Sequence, residues 1–265
     1  MFIQNLSSTG FSKQVLEQLS EFIRQSKDRT ERKVAVFDAD GTLWKGDIGD
    51  RFLDYQLKNG QILASDVEDY YKAVSQGGHE AEIYSWPALW NAGRTVNEVE
   101  LWSRECFESF KHQIFPAQRA LVQELQNSGF EVWVVSASVW WVVVAGVAHF
   151  GIPASRVIAT KVLVDEQNRL VRQLAHPVPY KGGKVAAIHR EIGKAPCFVS
   201  GNSMGDYDMM NLAHGLVLAI NSDQPGGLYF ETEQTLRKNV ELKQKEQNQS
   251  SSNVSQARWV LQQFS

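Results

Sequence analysis

The chain predicts an α/β fold, a parallel sheet with helices on both faces and a small all-helical unit inserted after the first strand. Three observations carry this. Short apolar runs alternate with segments of helical period. The runs end on small or polar residues, as buried parallel strands do. Between residues 44 and 115 the alternation stops and helical, aromatic-rich sequence takes its place.

The elements follow in order. Residues 12–24 read as a helix, with Val15, Leu16, Leu19, Phe22 and Ile23 on one stripe and Ser12 as N-cap. Val34-Ala35-Val36-Phe37 is the first strand, closed by Asp38-Ala39-Asp40-Gly41-Thr42. The helical insert carries Phe52, Tyr55, Tyr70, Tyr71, Tyr84, Trp86, Trp90 and Trp102, with breaks at Gly77-Gly78 and Trp86-Pro87. Pro116 opens a helix holding Leu121, Val122 and Leu125, which ends near Gly129. Glu131-Val132-Trp133-Val134-Val135 is a second buried strand, closed by Ser136-Ala137-Ser138. A helix with Val142, Val143, Val144 and Val147 follows, stopped by Phe150-Gly151-Ile152-Pro153.

Residues 156–165 and 169–174 predict an exposed hairpin around Asn168. Residues 184–192 predict a helix, and Cys197-Phe198-Val199 and residues 216–220 two short buried strands. From 244 to about 256 the chain is rich in Gln, Ser and Asn, which reads as a linker. Arg258-Trp259-Val260-Leu261 then reads as an anchor that docks on the core or on another subunit. The expected units are an α/β core over 1–43 and 116–243, a helical cap over 44–115, and a linker with a short terminal segment over 244–265.

Composition narrows the function. The net charge is −3 and no long basic run occurs, which argues against nucleic acid as a partner. The two cysteines, Cys106 and Cys197, lie far apart and form no CxxC pair, which fits a reducing compartment. No segment reads as a signal peptide or membrane span, so a cytoplasmic location is expected. A homo-oligomer stays open.

The chemistry starts at Asp38 and Asp40. Both sit at the C-terminal end of a buried strand, where open α/β sheets bind ligands. Two converging carboxylates repel unless a cation lies between them, and a hard divalent ion such as Mg²⁺ suits them. A carboxylate is a competent nucleophile toward phosphorus, and a second one nearby can protonate a leaving alkoxide.

The run Asp38-Ala39-Asp40-Gly41-Thr42 resembles the first motif, DxDGT, of the haloacid dehalogenase superfamily. The resemblance implies a Rossmann-like core. It implies Asp38 as the nucleophile that becomes an aspartyl-phosphate, and Asp40 as general acid/base with its main-chain carbonyl on Mg²⁺. Ser136 matches the second motif, a hydroxyl that binds a phosphoryl oxygen. Lys184, opening a helix after Gly182-Gly183, matches the third, with Lys181 as its rival. The fourth, GDxxxD, matches Gly201-Asn202-Ser203-Met204-Gly205-Asp206 with one departure, because Asn202 stands where an acid is expected. The implied metal set is Asp38, Asp40, Asn202 and Asp206, and the lost charge at Asn202 implies weaker metal binding.

The motif order and the helical cap resemble the phosphoserine-phosphatase-like branch. Asp47 loosely matches a substrate-binding glutamate there, and Arg94 and Arg104 are candidates for a cap arginine. Ser136-Ala137-Ser138 and the aromatic cap also resemble phosphorylcholine phosphatases, in which aromatic rings hold a trimethylammonium group. Trp44, Trp86 and Trp90 could do so, although aromatics at helical spacing more often form a cap's own core. Thr42, Asp47, Ala137 and Trp44 are the candidate substrate contacts. The expected activity is hydrolysis of a small phosphorylated metabolite. Phosphoryl transfer to a second alcohol, or a weakened binding protein on the same scaffold, are the alternatives.

Overall fold

The computed structural model describes residues 10–27, 30–76, 80–249 and 257–264. Helix α1 (Lys13–Ser26) begins at Ser12, whose hydroxyl caps it by accepting from Val15 N. Strand β1 (Lys33–Phe37) follows. The insert holds α2 (Ile48–Lys58), α3 (Ala64–Ser75), α4 (Glu80–Ile83), α5 (Trp86–Leu89) and α6 (Val96–Phe110). The predicted break at Gly77-Gly78 lies outside the described residues. Then come α7 (Pro116–Asn127), β2 (Phe130–Val139), α8 (Trp140–Val147), β3 (Val157–Thr160), and the pair β4 (Val162–Val164) and β5 (Leu170–Leu174). The chain continues with α9 (Gly182–Glu191), β6 (Phe198–Gly201), α10 (Tyr207–Met210), β7 (Leu216–Asn221), α11 (Phe230–Gln249) and β8 (Arg258–Gln263).

Six strands form one parallel sheet in the order β3-β2-β1-β6-β7-β8. Its two faces follow from strand alternation. Ala35 and Phe37 of β1 pack with Leu19, Leu121 and Val142 on one side. Val34 and Val36 pack with Ile188, Met209 and Leu236 on the other. The chain leaves β1 toward β2 and later returns on β1's other flank as β6, so the loops part above β1 and leave a crevice.

The sequence expectation needs correction in three places, and one of its open alternatives is decided. Strand β2 runs through Ser136-Ala137-Ser138 to Val139, and its register against β3 shifts between Val135 and Val139, so those residues bend rather than close the strand. Residues 156–165 are not one hairpin arm, because β3 joins the main sheet and only β4 pairs antiparallel with β5. Residues 244–249 continue α11 instead of starting a linker, while 250–256 lie outside the described residues. The anchor docks on the core: β8 pairs with β7 from Leu216↔Arg258 to Asn221↔Gln263. There Ser12 N donates to Gln262 Oε1 at 2.9 Å, and the Phe11 and Phe264 rings lie 5.7 Å apart. No helix among the described residues is long and apolar enough to cross a membrane.

Candidate active site

Asp38 and Asp40 leave the end of β1 into a cavity of about 140 Å³. Its floor is Asp38, Asp40, Ser136, Lys184, Asn202 and Asp206, delivered by the ends of β1, β2 and β6 and by α9. The main chain is stitched to β6 there, since Asp38 N donates to Ser200 O at 2.9 Å.

Lys184 is 3 % exposed, and its Nζ donates to Asp38 Oδ1 at 2.6 Å, Asp206 Oδ1 at 2.7 Å and Val135 O at 2.9 Å. Burial opposes its charge, but Asp206 and Asp38 hold the ammonium above the ordinary lysine range. The rival Lys181 sits at the N-cap of α9, with its Nζ 5.0 Å over the Tyr180 ring. Asp38 is pushed up to about 7 by burial and then by the Asp206 charge, with Lys184 pulling the other way. Asp206 Oδ2 accepts from Asn202 N, Ser203 N and Ser203 Oγ at 3.0–3.1 Å, so this carboxylate braces Lys184 and the β6 loop.

Asp40 is held differently. Oδ1 accepts from Trp44 Nε1 at 2.8 Å and Ile48 N at 2.7 Å, and Oδ2 from Ser138 Oγ at 2.7 Å. Burial, followed by the charges of Asp47 and Asp38, pushes this carboxyl well above the usual range. With Oδ1 occupied by two N–H donors, a proton belongs on Oδ2, where the Ser138 hydroxyl can turn from donor to acceptor.

The geometry sorts the sequence candidates. Ser136 lines the floor, and its Oγ accepts from Ser138 N at 3.0 Å. Ala137 also lines the cavity. Asp47 lines it too, caps α2 by accepting from Asp50 N, and accepts from Tyr229 OH at 2.5 Å. Thr42 is fully buried and lies beneath the cavity, its Oγ1 3.1 Å from Asp38 Oδ2 and 3.4 Å from Asn202 Oδ1. It positions the site and is not a substrate contact.

Trp44 is likewise corrected. It is fully buried, edge-on to Phe107 at 5.2 Å, and its indole serves Asp40. Trp86 and Trp90 pack against the insert's own small core, and neither lines the cavity. Arg94 lies over Trp102 and donates to Gln61 O, while Arg104 pairs with Glu100, so neither reaches the cavity.

Sequence reasoning missed Ser138, Asp50, Tyr70, Tyr84, Tyr180 and Tyr229, the last five of which form the cavity wall with Asp47. Ser138 carried a signal, since it follows Ser136 by two along a strand. Tyr229 carried none, because it meets Asp47 across 182 residues of chain.

Gly41 makes the closest approach. Its φ is +73°, and a Cβ there would lie 1.9 Å from Asn202 Nδ2. Gly60 has φ +65° and nothing within 4 Å of such a Cβ. Both Ala variants pay left-handed strain of about 1–3 kcal/mol. In urea unfolding, Gly41→Ala is expected to lose clearly more stability than Gly60→Ala. Equal losses would mean that Asn202 does not pack on Gly41.

Among the described residues, no group of three His, Cys, Asp or Glu side chains could hold a metal ion. The side-chain donors that remain in the cavity are the Asp38 carboxylate and the Asn202 amide oxygen, and the motif resemblance adds the Asp40 main-chain carbonyl. Asp206 is turned to Lys184 and to three donors of the β6 loop, and the Asp40 side chain to Trp44, Ile48 and Ser138, whereas Asp38 Oδ2 meets only the Thr42 hydroxyl, at 3.1 Å. Mg²⁺ binds through one or two carboxylates and keeps several waters, so this oxygen set fits it. The charge balance agrees. Asp38, Asp40, Asp47, Asp50 and Asp206 line the cavity, against Lys184 as its only lysine or arginine among the described residues.

A family model described as haloacid dehalogenase-like hydrolase matches residues 35–211. No curated protein matches the chain in sequence. Among solved structures, a conserved protein of unknown function from Anaerococcus prevotii superposes with TM-score 0.68 at 15% identity, covering 94% of this chain and 92% of that one. Cytosolic 5'-nucleotidase IIIB bound to cytidine superposes with TM-score 0.60 at 14% identity, covering 95% and 87%. A phosphoserine phosphohydrolase-like protein from Francisella tularensis gives 0.51 at 18% identity, covering 71% and 87%. At these identities the likeness is one of fold.

Proposed function

The chain belongs to the haloacid dehalogenase-like hydrolase family, and from that premise we propose that it is a Mg²⁺-dependent phosphomonoesterase acting on a small phosphorylated metabolite. The observation that carries this reading is the cavity floor. Asp38 is paired with Lys184, and two residues on Asp40 is held so that Oδ2, beside the Ser138 hydroxyl, is the oxygen that can carry a proton.

In this mechanism an Asp38 oxygen attacks phosphorus in line, and the bond to the leaving oxygen breaks. Asp40 Oδ2 gives its proton to that oxygen. The Asp40 carboxylate then takes a proton from the water that hydrolyses the aspartyl-phosphate. Lys184 balances the charge of the phosphoryl group and remains anchored by Asp206 while Asp38 is esterified. Ser136 offers its hydroxyl to a phosphoryl oxygen. Mg²⁺, when bound by Asp38 and Asn202, would supply charge neutralisation between the phosphoryl group and the carboxylates. Asn202 also favours a second reading, a weakened binding protein, but such a protein has little use for the Asp40–Ser138 arrangement.

The wall supports a substrate class. Tyr70, Tyr84, Tyr180 and Tyr229 line the cavity with Asp47 and Asp50. Aromatic faces and carboxylates together favour a cationic leaving group, as in phosphoserine- or phosphorylcholine-like esters. The aromatics are tyrosines of the wall, not the tryptophans the sequence pointed to.

The test is phosphate release from a panel with and without Mg²⁺, including phosphoserine, phosphorylcholine, phosphoethanolamine, sugar phosphates and nucleotides. Silence across the panel with Mg²⁺ binding lost would favour the binding protein.

Asp50 adds a pH signature. Burial, then Asp47 and Asp54, push its carboxyl up to about 7, so it becomes anionic as pH rises through neutrality. Between pH 6 and 8, kcat/KM for phosphorylcholine relative to glycerol phosphate is expected to rise about fivefold, a gain of ~1 kcal/mol for one new carboxylate–cation contact. The ratio cancels the titration of the phosphate. Asp50→Asn should flatten it, and a flat wild-type ratio would remove Asp50 from leaving-group recognition.

A further inference from the structure

We infer that Glu233 acts through Asn202 as the charge the metal site otherwise lacks, a positioning residue that turns the amide oxygen toward the cation; the inference rests on the Mg²⁺ reading. Glu233 is 1 % exposed, although it lies on α11, whose sequence is otherwise largely polar. Its Oε2 accepts from Ser222 N and Asp223 N, both at 2.9 Å. Its Oε1 faces Asn202 Nδ2 at 3.4 Å and Ser222 Oγ at 3.4 Å.

An asparagine amide can face a site with either end. Its oxygen would be a ligand, whereas its NH₂ would point two donors at a cation. A carboxylate offers only acceptors, so Glu233 takes the NH₂ end. Asn202 Oδ1 is left facing Thr42 Oγ1, the hydroxyl that also reaches Asp38 Oδ2. The negative charge missing from the fourth-motif position thus lies just behind the amide. Asn202 and Glu233 together do what one aspartate would do. No sequence motif pairs them, since they lie 31 residues apart on different elements.

Glu233 also ties the β7–α11 loop through Oε2, and that purely structural role is the competing explanation. Glu233→Gln separates the two. The main-chain amides would keep the glutamine oxygen and turn its NH₂ toward Asn202, which forces Asn202 to present nitrogen to the metal site. Asn202→Asp reverses the logic, because it sets two buried carboxylates side by side unless Glu233 is neutral.

The experiment measures Mg²⁺ affinity by calorimetric titration, and melting temperature without metal, for wild type, Glu233→Gln, Asn202→Asp and the double variant. Glu233→Gln is expected to weaken Mg²⁺ binding about tenfold or more. Asn202→Asp alone should melt lower than wild type without metal. In that background Glu233→Gln should raise the melting temperature and tighten Mg²⁺, a reversal of sign. An unchanged affinity in Glu233→Gln, or a loss of equal size in both backgrounds, leaves only the loop tie and overturns the inference. A wild-type chain that binds no Mg²⁺ overturns the metal reading, and this inference with it.

Discussion

Asp38→Asn is expected to lower phosphate release by about 10³-fold or more while leaving the fold intact. The neutral amide cannot form an acyl-phosphate, yet it keeps the shape of the carboxylate. Its oxygen can still accept from Lys184, its NH₂ can donate to the Thr42 hydroxyl, and Lys184 keeps Asp206 and Val135 O as partners. Burial and the Asp206 charge already make the Asp38 carboxylate costly, so losing it need not destabilise the protein. Steady-state release and a thermal melt on the same preparation check both halves. A variant that retains full turnover would end the covalent mechanism. One that loses turnover by melting would leave the nucleophile unassigned.

Lys184→Met is expected to be the most destabilising substitution in the site, by about 3–5 kcal/mol near pH 8. It removes the shared cation from two nearly inaccessible carboxylates, Asp38 and Asp206. The pH dependence has a definite sign. Asp38 has a folded pKa already raised to about 7, and without Lys184 it can only rise further. A carboxyl raised on folding binds its proton more tightly in the folded state. Its contribution to stability is therefore full below the unfolded pKa and is lost as pH rises through the folded value. The variant's deficit should be smaller at pH 5 than at pH 8. Urea unfolding at the two pH values measures this. A loss under about 1 kcal/mol at pH 8 would be the behaviour of an exposed pair and would contradict the buried triad.

What the sequence made legible was whatever is local in the chain. An apolar run ending in Asp38 and Asp40 announces both a strand and its chemistry. Lys184 could be chosen over Lys181 on register alone, and the structure puts Lys184 between Asp38 and Asp206. The failures have physical causes. The register shift after Val135 depends on how β3 lies beside β2, so the length of β2 was hidden. Residues 244–249 are polar, and such a segment reads as a linker although it continues a helix packed through Leu236 and Val240. Trp44 is near Asp38 in sequence, but proximity does not say on which side of the acid an indole lies, and here it lies in the core. Tyr229 and Glu233 lie beyond the last motif and meet the site only through tertiary packing.

The insert's apolar residues divide between two clusters, and this bears on which part of the cavity wall can move. Ile48, Phe52, Val99, Cys106 and Phe107 are continuous with the sheet's own core. Gly146 on α8 admits that contact, since a Cβ there would stand 2.5 Å from Phe107 and 2.8 Å from Trp44. Leu53, Ile62, Val67, Tyr70 and Ile83 form a separate, smaller group. The insert is therefore two leaves on one stem, α2. The inner leaf carries α6 and packs through Phe107 on Trp44, whose indole holds Asp40. The outer leaf carries Tyr70 and Tyr84, which line the cavity, and reaches the rest of the chain there through the edge-on contact of Tyr84 with Tyr180 at 4.9 Å. A leaf with its own core, separate from the one that holds Trp44, can shift its tyrosines while the Asp40–Trp44 contact stays in place.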